Sequence, residues 1–288
     1  MSDNQPIKGG EFIIRDTAPK DIFTPEEFTE EHKMIASMCE DFIHQEIIPH
    51  LDRIDSLEEG LMPSLLKKAG ALGLLGLSIP EEYGGMGVDF KTTLLATEYL
   101  GLGFSFSVAY GAHTGIGTLP LLYYGNDEQK NKYVAKLASG EWAAAYCLTE
   151  PGAGSDANSG KTKAELSADG THYSITGQKM WITNGGFANL FTVFAKIEDD
   201  ENLTAFLVEA DSEGISLNPE EKKMGIKGSS TRQVFFNNVQ VPVENMLSER
   251  GNGFKIALNI LNIGRIKLGA AVMGGAKGGI DESVRYAL

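Results

Sequence analysis

From Thr24 the chain reads TPEEFTEEHKMIASMCEDFIHQEIIP, in which Phe28, Ile35, Met38 and Phe42 recur at steps of seven, three and four. That spacing lays one apolar stripe along a helix. Thr24 offers an N-cap, Pro25 a first-turn residue and Glu27 the third member of a capping box, so the helix is expected to start there and end at Pro49. Similar stripes follow from Pro63 to Leu72, over 89–102 and over 126–138, the last opening NDEQ and closing before Gly140. The first 140 residues or so therefore read as all-helical. Beyond Glu141 the period drops to two in WAAAYCLT, in KTKAELSADGTHYSITG with its Asp169-Gly170 turn, in FTVFAKI and in LTAFLVEA. With further turn signals at Asn184-Gly185 and Asn237-Asn238, an antiparallel sheet is predicted up to Val243. Helical signals return after Pro242 and run to the last residue without a C-cap. The order helices, strands, helices predicts an α+β chain: an extension over 1–24, a helical domain over 25–140, a β domain over 141–247 and the start of a second helical domain over 248–288.

Charge and cysteines narrow the function. Twenty-five Lys and Arg stand against 39 Asp and Glu, a formal net charge of −14, which repels a phosphate backbone and argues against nucleic acid as a partner. Cys39 and Cys147 are far apart in the sequence and in no CxxC pattern, so neither a disulfide framework nor a zinc site is suggested; reduced thiols suit a cytoplasmic protein. The opening MSDNQPIKGGEFIIRD has no basic n-region before an apolar stretch, and no run is read as reaching the roughly 18 apolar residues of a membrane helix.

Four segments are candidates for chemistry. YCLTEPGAGSDANSG, Tyr146 to Gly160, contains Gly152, Gly154 and Ala157 in the spacing G-x-G-x-x-A. A dinucleotide-binding turn would need a helix directly afterwards, and strand follows instead. What remains is a plain loop, or one whose amides and Thr149 and Ser155 hydroxyls bind a ligand's polar atoms. GQKMWITNGG places Trp181 and Thr183 on one face of a strand, a surface suited to a flat heteroaromatic ring with a polar edge, unless Trp181 is core. Lys222, Lys223, Lys227 and Arg232 form the densest positive cluster, to be read as a solvated loop unless phosphates face it. In NILNIGRIKLGAA, Arg265 interrupts an apolar run; if buried it must be paired, with protein or with an anionic or carbonyl-bearing ligand. Gly269, Gly274, Gly275, Gly278 and Gly279 are expected to mark close helix packing.

In this order the segments IPEEYGG, YCLTEPGAGSD, GQKMWITNGG, KKMGIKGSSTRQVFF and VPVENML resemble the acyl-CoA dehydrogenase family over nearly the whole chain. GGEF and LASGEWAAAYCLTEPGAGSD are most similar to its very-long-chain, long-bodied branch. The resemblance implies a helical domain, a small antiparallel β-barrel-like middle domain and the start of a helical bundle. It also implies FAD-dependent α,β-dehydrogenation of fatty acyl-CoA thioesters, the first step of β-oxidation. FAD would be bound by Tyr146, Cys147, Leu148, Thr149, Gly154, Ser155, Trp181, Ile182 and Thr183, and the acyl-CoA by Ser155, Asn262, Ile263, Gly264 and Arg265. An electron-transfer flavoprotein as acceptor and a homo-oligomer, dimer or tetramer, are implied too. The family's catalytic Glu is expected beyond Leu288, as is its R-x-x-F-G segment; the minority position before the helical Arg is here Gly264, and Glu150 receives no role. The stretch is thus read as an amino-terminal piece that by itself binds flavin poorly and turns over little. Rival readings are an oxidase or flavin monooxygenase on the same scaffold, and a non-catalytic binding module.

Overall fold

The protein is described by a computed structural model covering residues 11–16, 18 and 23–288. Most of the expected 1–24 extension, including Gly9 and Gly10 of the GGEF opening, lies outside the described residues. Glu27 does accept the Thr24 N–H (3.3 Å), yet this box closes only a three-residue 3-10 turn, Pro25–Glu27. Helix α1, Glu30–Phe42, starts at a second cap five residues on, where Thr29 Oγ1 accepts the His32 N–H and His32 Nδ1 accepts the Thr29 N–H. Two caps compete, and the one adjoining the buried stripe of Ile35, Ala36, Cys39 and Phe42 wins. Phe28 packs edge-on against Phe23 and His32 instead.

Pro49 does not end the helical path. A π turn (Ile43–Ile47) and a 3-10 turn (Ile48–His50) lead into α2, Leu51–Asp55, with Pro49 in a first turn where its missing N–H is not needed. There follow α3 (Leu61–Ala71), α4 (Phe90–Leu100, capped by Asp89), α5 (Ser105–Gly111), α6 (Leu119–Tyr124) and α7 (Asp127–Ala138, capped by Asn126). Between α5 and α6 the helix widens into a π turn, Ala112–Gly117. Ile35, Phe42, Leu65, Leu74, Leu100 and Phe106 are among the residues that fill the core of this domain.

The β domain is an eight-stranded sheet of β1 (Ala144–Cys147), β2 (Lys163–Leu166), β3 (His172–Thr183), β4 (Leu190–Ile197), β5 (Thr204–Glu209), β6 (Ile215–Leu217), β7 (Thr231–Pro242) and β8 (Met246–Leu247). The expected antiparallel sheet is in fact mixed. One edge of β4 is shared by two parallel partners, β1 along its first half and β2 at its end, while its other edge pairs antiparallel with β5. Nor is Asn237-Asn238 a turn. It lies inside β7, where three steps on β7 (Val239 to Phe236) face two on β3 (Ile175 to Gly177), and Asn238 at φ 52° forms a bulge.

Helix α8, Gly253–Ala287, crosses both domains. Its best 18-residue window has a mean hydropathy of 1.4, so by length and composition it is apolar enough to cross a membrane. The expectation that no run is long enough fails because Arg265, Lys267 and the glycines break the stretch to the eye. In this structure one face of α8 packs on the helical domain: a Cβ at Gly274 would stand 1.8 Å from Glu98 O, and one at Gly101 2.1 Å from Ala271 O. Gly278 is pressed against Leu102 in the same way, whereas Gly269 and Gly279 face open space and Gly275 only ordinary contact, so close packing explains part of that glycine series.

Candidate functional site

Where β1 ends on the edge of β4, β2 has not yet begun, and Phe194 lies between the two pairings. Lys179, fully buried, fills this seam. Its Nζ donates to Phe194 O (2.6 Å), to Leu148 O (3.2 Å) and to Glu150 Oε1 (2.7 Å). Glu150 also accepts from the Lys161 N–H (2.6 Å) and from the Thr162 N–H and hydroxyl (3.1 and 2.6 Å). Burial would raise the Glu150 carboxyl, but Lys179 and these donors outweigh it and hold its pKa below the ordinary carboxylate value. Burial in turn pulls the Lys179 amine down against the pull of Glu150. Glu150 is thus held by four donors as part of the seam.

Beside this seam β3 gains a residue. From Lys179 to Ile182 it takes three steps while β7 takes two, from Val234 to Arg232. Trp181 adopts φ 59°, a region L-residues avoid, and is turned outward, 55% exposed, where strict alternation with Lys179 would have buried it. Thr183 lies on the same outer face, as expected. Met180 N–H donates to Thr149 O (2.8 Å), so Thr149 adjoins Trp181. The hydroxyls of Thr149, Ser155 and Thr183 make no hydrogen bond among the described residues, and Gly152 and Gly154 have no atom within 4 Å of a Cβ position. An exposed indole, free hydroxyls and an open loop are therefore offered to a ligand.

The other residues expected at this site contribute differently. Tyr146 is buried against Phe194, and its hydroxyl donates to Ala257 O (3.3 Å), which fastens α8 to β1. Cys147 and Ile182 point into the sheet core, leaving only main-chain groups, and burial pushes the Cys147 thiol up to about 12. Leu148 is buried and its carbonyl is taken by Lys179. Asn262 to Arg265 lie on α8 one to two turns beyond Ala257, about 8–12 Å along the axis at 1.5 Å per residue. Arg265 is exposed rather than buried, its Nη1 donating to Asn262 Oδ1 (2.8 Å), and the buried cation of this helix is Lys267. Two residues along a helix turn the side chain through about 200°, so one cation faces out and the other in. In the basic cluster, Arg232 is paired with Glu220 (2.8 Å) and Lys223 donates to Ser229 O (2.7 Å), which leaves Lys222 and Lys227 as its free charges. Arg232 and Glu220 help line a cavity of about 360 Å³ between the α2–α3 connection and the turn after β3.

The sequence reading took Asn184 only as a turn signal and passed over His113, so the junction roles of both escaped it. Asn184, fully buried after β3, donates from Nδ2 to Ala109 O (3.0 Å) and Ala144 O (3.4 Å), tying the turn that carries Thr183 to α5 and β1. His113 bridges α7 and β1 from the π turn. Lys179 carried a usable signal, since it falls in the inward phase of the period-two alternation set by Tyr173 and Ile175.

Residues 29–141 match the sequence profile of the acyl-CoA dehydrogenase N-terminal domain and residues 145–239 that of its middle domain. A probable acyl-CoA dehydrogenase of Bacillus subtilis is 53% identical over 97% of this chain and 47% of its own length. The human mitochondrial very long-chain specific acyl-CoA dehydrogenase is 44% identical over 82% of this chain and 37% of its own length. A crystal structure of acyl-CoA dehydrogenase complexed with FAD from Bacillus anthracis superposes with a TM-score of 0.95 at 51% identity, covering 98% of this chain and 48% of that one. The chain spans about half the length, or less, of these relatives. With helical domain, mixed sheet and following helix in the same order, the chain belongs to the acyl-CoA dehydrogenase family.

Proposed function

We propose that the protein is an FAD-dependent dehydrogenase that oxidises the α,β bond of fatty acyl-CoA thioesters, as in the first step of β-oxidation. The observation that carries this reading is Trp181, held outward by a strained bulge beside the unpartnered hydroxyls of Thr149 and Thr183. Those groups fit a flavin: the indole would cover a flat ring, and the two hydroxyls would donate to its polar edge, where such donors favour negative charge. FAD bound there supplies the two-electron acceptor. Ser155 and the open amides around Gly154 hold polar atoms of cofactor and thioester, and the exposed Arg265, oriented by Asn262, meets the anionic or carbonyl groups of acyl-CoA. Removal of the α proton is assigned, from the resemblance to the family, to a Glu outside this stretch, and Glu150, held by four donors, is given no part in it.

An electron-transfer flavoprotein as acceptor, self-association into a dimer or tetramer, and a cytoplasmic location complete the proposal; the two buried, free thiols support the last. The test is an anaerobic titration of the full-length gene product, reconstituted with FAD, with palmitoyl-CoA while the flavin's visible absorbance is followed. Bleaching that persists when air is readmitted supports a dehydrogenase, and rapid recovery of colour an oxidase. A flavin that binds but bleaches with no chain length would replace this reading with a non-catalytic module.

A further inference from the structure

Three acceptors surround Lys179 Nζ: Phe194 O at 2.6 Å, Glu150 Oε1 at 2.7 Å and Leu148 O at 3.2 Å. A neutral amine has only two hydrogens to give, so the seam holds an ammonium. The Glu150 carboxylate is itself an acceptor and cannot bond Leu148 O, so the charge in direct contact with that carbonyl is the positive one. No peptide bond among the described residues is cis, so in the planar Leu148–Thr149 peptide the N–H points away from the C=O. With the carbonyl turned into the seam, the Thr149 N–H is aimed out of it, and it donates to nothing among the described residues. Thr149 is only half-buried, and its own carbonyl accepts from Met180, one residue before the exposed Trp181. An ammonium, a peptide and an outward N–H thus stand in line, each polarising the next in a site shielded from water. A hydrogen bond from a charged donor is roughly twice as strong as a neutral one, and the peptide passes part of that strength to its free end.

The same ion pair fixes where the loop lies. Glu150 accepts from the Lys161 N–H and from both donors of Thr162, and its main chain closes on Ala153 through two mutual bonds of 3.1 Å. Little room is left for this arrangement to shift. A Cβ at Gly160 would stand 2.9 Å from Glu150 Oε1, and one at Gly177 2.4 Å from Thr162 Oγ1. Gly152 and Gly154 stay open, so the loop is tied on its buried side alone.

We propose that Lys179 sets the reduction potential of the bound flavin: through the Leu148–Thr149 peptide it strengthens the Thr149 N–H as a donor to the flavin's pyrimidine edge and so favours the reduced form. The inference rests on the flavin part of the reading above and deepens it. A stronger donor favours the redox state with more negative charge on that edge, which is the reduced one. Lys179 is a positioning residue, since it is fully buried beneath the main chain and acts only through the peptide above it.

The experiment uses the full-length gene product loaded with FAD, as wild type, as Lys179→Met and as the double variant Lys179→Met, Glu150→Gln, which removes the ammonium without stranding a carboxylate. The flavin's reduction potential is read by equilibration with redox dyes, beside the affinity for oxidised FAD and the melting temperature. Both variants are expected to bind reduced FAD about tenfold less tightly, relative to oxidised FAD, than the wild type does. For a two-electron couple that lowers the potential by about 30 mV. A lysine that only props the fold would lower the melting temperature and weaken both redox states equally, so an unchanged potential in a variant that retains flavin overturns the proposal. A second measurement needs no variant: Raman spectra of the wild type carrying FAD isotopically labelled at one pyrimidine carbonyl or the other. One of the two stretches is expected below its frequency in water, and finding neither lowered also overturns the proposal. If FAD binds but palmitoyl-CoA does not bleach it, the dehydrogenase reading fails while the dye titration still decides this one. If wild type and variants bleach alike and differ only in stability, this inference alone fails. A full-length protein that binds no FAD overturns both.

Discussion

His113 offers a direct test of how the helical and β domains are joined. Its Nδ1 faces the Ala144 N–H at 3.1 Å, at the start of β1, and its Nε2 lies 3.0 Å from Leu137 O near the end of α7. An amide N–H can only donate, so Nδ1 must carry a lone pair, Nε2 must carry the hydrogen, and the ring must be neutral. Burial pulls its pKa down to about 4, with the Leu137 carbonyl opposing and the Lys267 charge assisting. In an unfolded chain the same ring titrates near 6.5. The folded value is the lower one, so the contribution is complete above about pH 6.5 and is lost as the pH falls toward 4. A gap of about 2.5 pH units at 1.36 kcal/mol each amounts to about 3 kcal/mol. The assay is urea unfolding of wild type and His113→Asn, whose Oδ1 still accepts from Ala144, at steps from pH 7 to pH 4. Asp89, hydrogen-bonded by Thr92, and Asp169, hydrogen-bonded by Ser167, are also held low and lose stability toward acid, but they do so in both proteins. The advantage of wild type over the variant should shrink by about 3 kcal/mol across this range. Parallel stability curves would refute a ring held neutral by its two bonds.

Lys179→Met leaves the Glu150 carboxylate and the carbonyls of Leu148 and Phe194 without their donor and should destabilise by about 3–5 kcal/mol, with Glu150→Gln in the same chain recovering part of it. Thermal unfolding of the singles and the double closes the cycle, and strict additivity would mean the pair does not interact. Trp181→Gly removes the strain at φ 59° and should raise stability by about 1 kcal/mol while weakening FAD binding in calorimetry; unchanged affinity would exclude the indole from the flavin site. Thr183→Val should weaken FAD binding about 3- to 10-fold, the effect of one hydrogen bond, without changing the melting temperature of the flavin-free protein. Gly274→Ala drives a Cβ into Glu98 O and should lower the urea midpoint by the equivalent of about 1–3 kcal/mol, whereas Gly279→Ala, which faces open space, should leave it unchanged or raise it.

Much of the fold was written locally. The stripes of α1, α3, α4 and α7 and the alternation in β3 are set by neighbours in sequence, and they could be read without knowing the partner surfaces, whereas β5 is buried on both faces and does not alternate. The start of α1 could not be read in this way, because Thr24, with Pro25 and Glu27, carries the fuller capping signal and only the buried stripe favours Thr29. Asn237-Asn238 misleads for a related reason: asparagine tolerates the left-handed region, and a bulge within a strand uses that tolerance as readily as a turn. The parallel pairings of β4 join segments that are not adjacent, and no local pattern specifies them. At the site, Trp181 and Thr183 were legible as one face, but their outward direction depends on a bulge fixed by β7. Arg265 and Lys267 show the same limit, since apolar residues flank both and only the packed helices decide which cation is inside.

The shared edge of β4 also bears on how the chain reaches its fold. β1 meets β4 across 46 positions, Ala144 with Leu190, and β8 meets β5 across 42, Leu247 with Ala205. Such pairings demand closure of long loops before they return any stabilisation, so the sheet assembles more slowly than the locally connected helices before it. The three acceptors around Lys179 come from the end of β1, the loop after it and the middle of β4, and they converge only once β4 has docked. A plug set that late should slow unfolding without speeding folding, so Lys179→Met is expected to raise the unfolding rate and leave the folding rate nearly unchanged. Lys179 would then give the protein persistence, a kinetic property distinct from the stability it adds at equilibrium.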